Sequence, residues 1–129
     1  MIVALVPAFA FALALTPPSP EASIAQQERV ELGSVSYDGH VGATSVELAR
    51  ITALGDGALP VLLAMSRSTS PVVRVAAAAG LIGNKDAGAR AALQALAGDH
   101  APVTVALGCL QLQMTVAAEV QHLTKYGVY

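Results

Sequence analysis

Glycine and proline punctuate this chain in a fixed order. Gly55, Pro71, Gly83, Gly98, Pro102 and Gly127 separate segments of about ten residues rich in Ala, Leu and Val. Glycine suits the position just past a helix end and proline the position just inside a helix start. The spacing therefore predicts six helices, over 45–54, 58–66, 71–82, 87–97, 102–113 and 116–125. Local chemistry supports several of the starts. Thr44-Ser45-Val46-Glu47 has the form of a capping box, and Ser70-Pro71 pairs an N-cap with a proline at the first helical position. Asp56, Asp86 and Thr115 stand where they can cap the helices that follow. Links of a few residues imply antiparallel neighbours, so the expected fold class is all-α.

The stretch 57–87 overlays 88–118 without gaps. Gly57/Gly88, Ala58/Ala89, Leu62/Leu93, Ala64/Ala95, Pro71/Pro102, Val72/Val103, Leu81/Leu112 and Ala87/Ala118 are identical pairs. A period of this length signals stacked supersecondary units that complete one another's core. Ala58-Leu59-Pro60-Val61-Leu62-Leu63 is similar to the first helix of a short bacterial HEAT-like repeat. Pro71-Val72-Val73-Arg74-Val75-Ala76-Ala77, running on to Leu81-Ile82-Gly83, resembles its second helix. The resemblance spans 56–98 and extends more loosely over 99–125; over 44–55 only a second-type helix is visible. Thr104-Val105 stands where Val-Arg is expected. Ser70 stands where the family has an aspartate before the proline, so no Asp–Arg ladder between units is expected. The resemblance implies a short α-α superhelix of about three repeats, over 44–129, and a scaffolding role.

The amino terminus reads differently. Ile2 to Leu15 is wholly apolar, and the first acid is Glu21. Fourteen helical residues reach about 21 Å at 1.5 Å per residue, short of a bilayer core of roughly 30 Å. The run instead suits the core of a secretory signal peptide. Ser23-Ile24-Ala25 offers small residues for a cut before Gln26, and Ala12-Leu13-Ala14 is a second such site. Residues 1–25 are thus expected to be a cleaved leader, 26–43 a linker or an ill-defined cap, and the mature chain to be exported with no stable membrane span.

The titratable residues suggest no chemistry. The chain is 12% charged with a formal net charge of −2, too little positive field to hold nucleic acid. His40, His100 and His122 form no metal-ligand spacing, so no metal and no cofactor are expected. Cys109, the single cysteine, falls inside the predicted fifth helix as a small buried hydrophobe. No G-x-S-x-G and no phosphate loop is present. The sequence predicts no catalytic residue, and the chain is read as not an enzyme.

What remains is a surface. The second helices of a stacked array lie side by side. Glu47 and Arg50 on the first, Arg74 and Ala78 on the next, and Thr104, Gly108 and Gln111 on the last are expected to form one continuous binding face. The expected function is a non-catalytic module that binds another protein there. Two other readings stand beside it. One is an accessory subunit, since some HEAT-like proteins resemble lyase subunits that assist cofactor attachment. The other is a self-associating structural piece, suggested by an unmatched final helix and weak end caps.

Overall fold

The computed structural model describes residues 17–33 and 41–127. The apolar run 2–15, the Ala12–Ala14 site and His40 lie outside them. In chain order the elements are α1 (Pro20–Ala25), β1 (Val30–Glu31), α2 (Ala43–Thr52), a 3-10 turn at Gly55–Gly57, α3 (Ala58–Met65), α4 (Pro71–Leu81), α5 (Ala87–Leu96), β2 (Pro102–Leu107), β3 (Leu110–Thr115) and α6 (Val116–Tyr126). The strands form one sheet in the order β1-β2-β3, with β1 parallel and β3 antiparallel to β2. The expected all-α solenoid is therefore corrected to a mixed α/β fold.

Helix α4 is the centre. Ser70 opens it, its hydroxyl accepting from Val73 N at 3.4 Å, with Pro71 in the first turn. Val72, Val73, Val75, Ala76, Ala77, Ala78 and Leu81 are all buried along it. A helix apolar on every side must be covered on every side, and α4 touches α1, α2, α3, α5, α6 and the first two strands. Its alanines allow those neighbours to approach closely. The α3–α4 pair matches the expected helical hairpin. Asp86 caps α5 through Gly88 N and Ala89 N, and Thr115 caps α6 through Ala118 N.

The departure from expectation begins at Pro102. Residues 102–115 form a β-hairpin, not the predicted helix over 102–113. Ala101 stands where α4 has Ser70, so no side-chain oxygen is there to cap a helix. Val103, Thr104 and Val105 are β-branched, and Leu110-Gln111-Leu112-Gln113 alternates with a period of two. Leu107 faces Leu110 across a two-residue loop, Gly108-Cys109. Gly108 has φ +57°, while no described non-glycine residue has positive φ. That is the pattern of a II′ hairpin turn, which wants glycine first. In a helix the same glycine would cost about 1 kcal/mol relative to alanine. Cys109 consequently sits exposed at the hairpin tip, not buried inside a helix.

Residues 17–33 are built into the fold. Ser19 caps α1 through Ala22 N, and Ile24 is completely buried. Val30 and Leu32, in the stretch expected to be a linker, are buried too. A leader cut before Gln26 would carry Ile24 out of this core. The capping-box reading of Thr44 also changes. Thr44 lies inside α2, fully buried; its hydroxyl donates to Gln27 Oε1 at 2.6 Å and accepts from Glu31 N at 2.9 Å. Glu31 Oε2 in turn accepts from Ala43 N at 3.2 Å, so the carboxylate of β1 caps α2 in place of a local residue.

Candidate interaction surface

The expected continuous face is dispersed. Glu47 and Arg50 pair with each other on α2, Nη1 to Oε2 at 2.9 Å. An i,i+3 surface pair of this kind contributes a few tenths of a kcal/mol, on the order of ~0.3. Ala78 is fully buried and is removed from the candidate face. Thr104, Gly108 and Gln111 come together, but on the hairpin and not on a helix. Thr104 Oγ1 accepts from Gln113 Nε2 across the strands at 2.8 Å, and Gly108 makes the turn.

Arg74 has a structural task. Its Nε donates to Asp99 Oδ2 at 2.6 Å and its Nη1 to the Ser68 carbonyl at 2.9 Å. Asp99 Oδ1 also accepts from Ala101 N at 3.0 Å, and the Asp99 carbonyl accepts from Ala117 N at 2.7 Å. One guanidinium thus ties the turn before α4 to the turn before β2 and, through it, to the start of α6. An Asp–Arg pair does form, with its aspartate at 99, but as one contact and not as a ladder between units. Burial works to raise the Asp99 carboxyl; the Ala101 N–H and the Arg74 guanidinium outweigh it, and the group lies below its ordinary value.

On β3, Gln111 was already expected on the binding face, whereas Leu110, Leu112 and Gln113 were not. Leu110, Gln111, Leu112 and Gln113 are all exposed, and the strand is the outer edge of its sheet. Leu110 is 65% and Leu112 38% exposed. They share a sheet side with Met114 and, across the ladder, with the buried Val103 and Val105. The hairpin thus extends past the helical layer that shelters its base. Its apolar stripe runs from half-buried Met114 out to exposed Leu110. The signal was available: a Gly-X pair between apolar runs, followed by strict Leu/Gln alternation.

The chain matches no family model, no curated protein and no solved structure. Its surface must be read from its own chemistry. The opposite margin of the sheet, β1, is two residues long, carries the Arg29–Glu31 ion pair at 2.6 Å and is covered by α2. That margin has the short length and charge that block strand addition. The β3 margin has six residues, no charge and no proline, and among the described residues no strand lies beyond it. Among the described residues no group of three His, Cys, Asp or Glu could hold a metal ion, and no single helix is long and apolar enough to cross a membrane.

Proposed function

We propose that this chain is a non-catalytic protein-interaction module that engages its partner by strand addition along β3, and that it is exported by means of its apolar amino-terminal run. The observation that carries the reading is the open edge Leu110–Thr115, uncharged and exposed over its first four residues. Unpaired backbone groups on such an edge template pairing with another strand, and the side chains alternating above and below it supply selectivity. The low overall charge favours a protein partner over nucleic acid.

The test is crosslinking capture from the envelope or secreted fraction. Three baits are compared: the unaltered chain, Gln113→Pro, and Glu47→Ala/Arg50→Ala on α2. Proline at 113 removes an edge donor, and edge strands tolerate it. Thermal melts establish that each bait is folded. The expected result is a protein captured by the unaltered chain and by the α2 variant and lost with Gln113→Pro. Retention by folded Gln113→Pro, with loss from the α2 variant, would move the site away from the sheet edge and overturn the reading.

A further inference from the structure

Resting on that reading of β3, we infer that the strand taken up at this edge is β3 of a second copy, paired antiparallel about a twofold axis through Leu112. The argument begins with which backbone groups are free. A two-residue hairpin loop is closed by a hydrogen-bonded pair, here Leu107 and Leu110. Hydrogen-bonded and non-hydrogen-bonded pairs then alternate along the ladder. Leu110, Leu112 and Met114 therefore turn their N–H and C=O toward β2, whereas Gln111 and Gln113 turn theirs outward. Pro102, which has no N–H, falls opposite Thr115 in a non-hydrogen-bonded pair, as this phase requires.

The two outward residues fix the geometry of a self-pair. With the axis at Leu112, Gln111 of one copy lies opposite Gln113 of the other, and the two residues exchange both backbone hydrogen bonds. Symmetry doubles the arrangement. Leu112 then faces its own counterpart, and Leu110 faces Met114. Every cross-strand pair joins like with like, apolar on the helix side of the sheet and amide on the other. No charge falls on the strand, so a self-pair brings no like charges together. On the amide side Gln113 already donates to Thr104. Its carbonyl oxygen is placed to accept from the amide of the facing Gln111, which gives a Thr104–Gln113–Gln111 ladder on each half.

The same register accounts for the exposed stripe. Antiparallel pairing lays the uncovered tip of one hairpin, at Leu110, against the sheltered base of the other, at Met114. Moving the axis one residue toward α6 would set Leu110 opposite Val116, the first residue of that helix and fully buried. The Leu112 register is the one that pairs all of 110–114 and stops short of the helix. The result is a continuous six-stranded sheet whose outer strands are the charged, covered β1 margins, so growth ends at two copies.

The experiment is sedimentation of the full chain over a concentration series, beside Leu110→Lys and Gln113→Pro, with site-directed disulfides to read the register. Leu110 is exposed enough that lysine there leaves the monomer fold intact. The expected result is a concentration-dependent dimer whose dissociation constant rises roughly tenfold or more in either variant, about 1.4 kcal/mol or more of pairing free energy. In a Cys109→Ser background, Leu112→Cys should oxidise to a covalent dimer and Leu110→Cys should not. The native Cys109 thiols would stand about 20 Å apart, six residue steps at ~3.3 Å, and should not crosslink. A chain that stays monomeric throughout overturns the self-pair. If that monomer still captures another protein in a Gln113-dependent way, strand addition itself survives; if it captures none, both readings fail. A dimer indifferent to both edge variants, or one that crosslinks through Leu110→Cys in preference to Leu112→Cys, also overturns it.

Discussion

Residues 71–81 and 102–112 occupy equivalent places in the internal overlay, begin with the same Pro-Val and end with the same Leu, yet one is the central helix and the other a strand, a turn and the start of a second strand. The difference is concentrated in three places. Ser70 against Ala101 decides whether the first turn of a helix can be capped. Arg74 against Val105 decides whether the fourth residue reaches out to a neighbouring turn or buries itself in a sheet. Ala77-Ala78 against Gly108-Cys109 decides whether the middle of the segment propagates a helix or reverses. The cap contrast and the Ala-to-Gly contrast are each worth about 1 kcal/mol in local preference and the Arg-to-Val contrast a few tenths; together they outweigh a shared pattern of breakers. An approximate repeat in sequence can therefore mark two different solutions to covering one helix.

The strongest way to break the comparison is to place the same residue at equivalent sites. Ala78→Leu inserts four heavy atoms less one into a position with no free surface, and is expected to cost about 3 kcal/mol through overpacking. Cys109→Leu, at the exposed tip, should remain within about 0.5 kcal/mol. Urea unfolding midpoints measure both. A similar loss at the two positions would mean that residue 109 is buried and that the hairpin is wrongly assigned.

Next in size is the Arg74 clamp. Arg74→Ala is expected to destabilise by about 2 kcal/mol, since it leaves Asp99 and the Ser68 carbonyl without their half-buried donor. The pair also has a pH signature. Because the folded Asp99 carboxyl lies below its ordinary value, its stabilising contribution is complete above the unfolded aspartate pKa of about 3.9 and is lost as pH falls through the lower folded value. Melting profiles between pH 7 and pH 2 should show Arg74→Ala and the unaltered chain converging at the acid end. A constant gap across that range would exclude the ion pair as the source of the effect.

The smallest test sharpens the cap and turn contrast. Ser70→Ala should cost about 1 kcal/mol and Gly108→Ala a similar amount, the first from a lost cap and the second from an unfavourable positive φ. The reciprocal change Ala101→Ser should add no helix in far-ultraviolet circular dichroism. A rise in helicity with Ala101→Ser would show that the lack of a cap alone holds the second segment in its strand form.

The helices were legible where cap and period agreed. Ser70-Pro71, Asp86 and Thr115 mark starts that the structure reproduces closely, because each supplies its own hydrogen-bond acceptor within three residues. Two kinds of information were not local. Thr44 reads as a cap, but Gln27 and Glu31 claim its hydroxyl from far back in the chain. Val30 and Glu31 read as linker because two strand residues carry no period; only pairing with β2 defines them. The hairpin is a third case: its alternation and its Gly-Cys turn were present, but the match to a helical unit outweighed them. Of the expected face, Gln111 lies on the candidate edge, Gly108 in the turn beside it and Thr104 across the ladder on the central strand, although all three were selected on a helical period that does not apply there. Leu110, Leu112 and Gln113 were not identified, because an exposed apolar edge emerges only once the sheet order is known.

The parallel pairing of Val30 with Val105 sets the order in which this molecule can be finished. The two residues are separated by most of the described chain, so the entropy of closing that loop must be met before the ladder returns any free energy. As the chain emerges from its site of synthesis, α1 and β1 are made before β2 and must wait for it. The helices between them can form locally in the meantime. A chain stopped anywhere before the hairpin would hold Val30 without its strand partner and Leu32 without its full core, so completion of the core waits on residues 102–115.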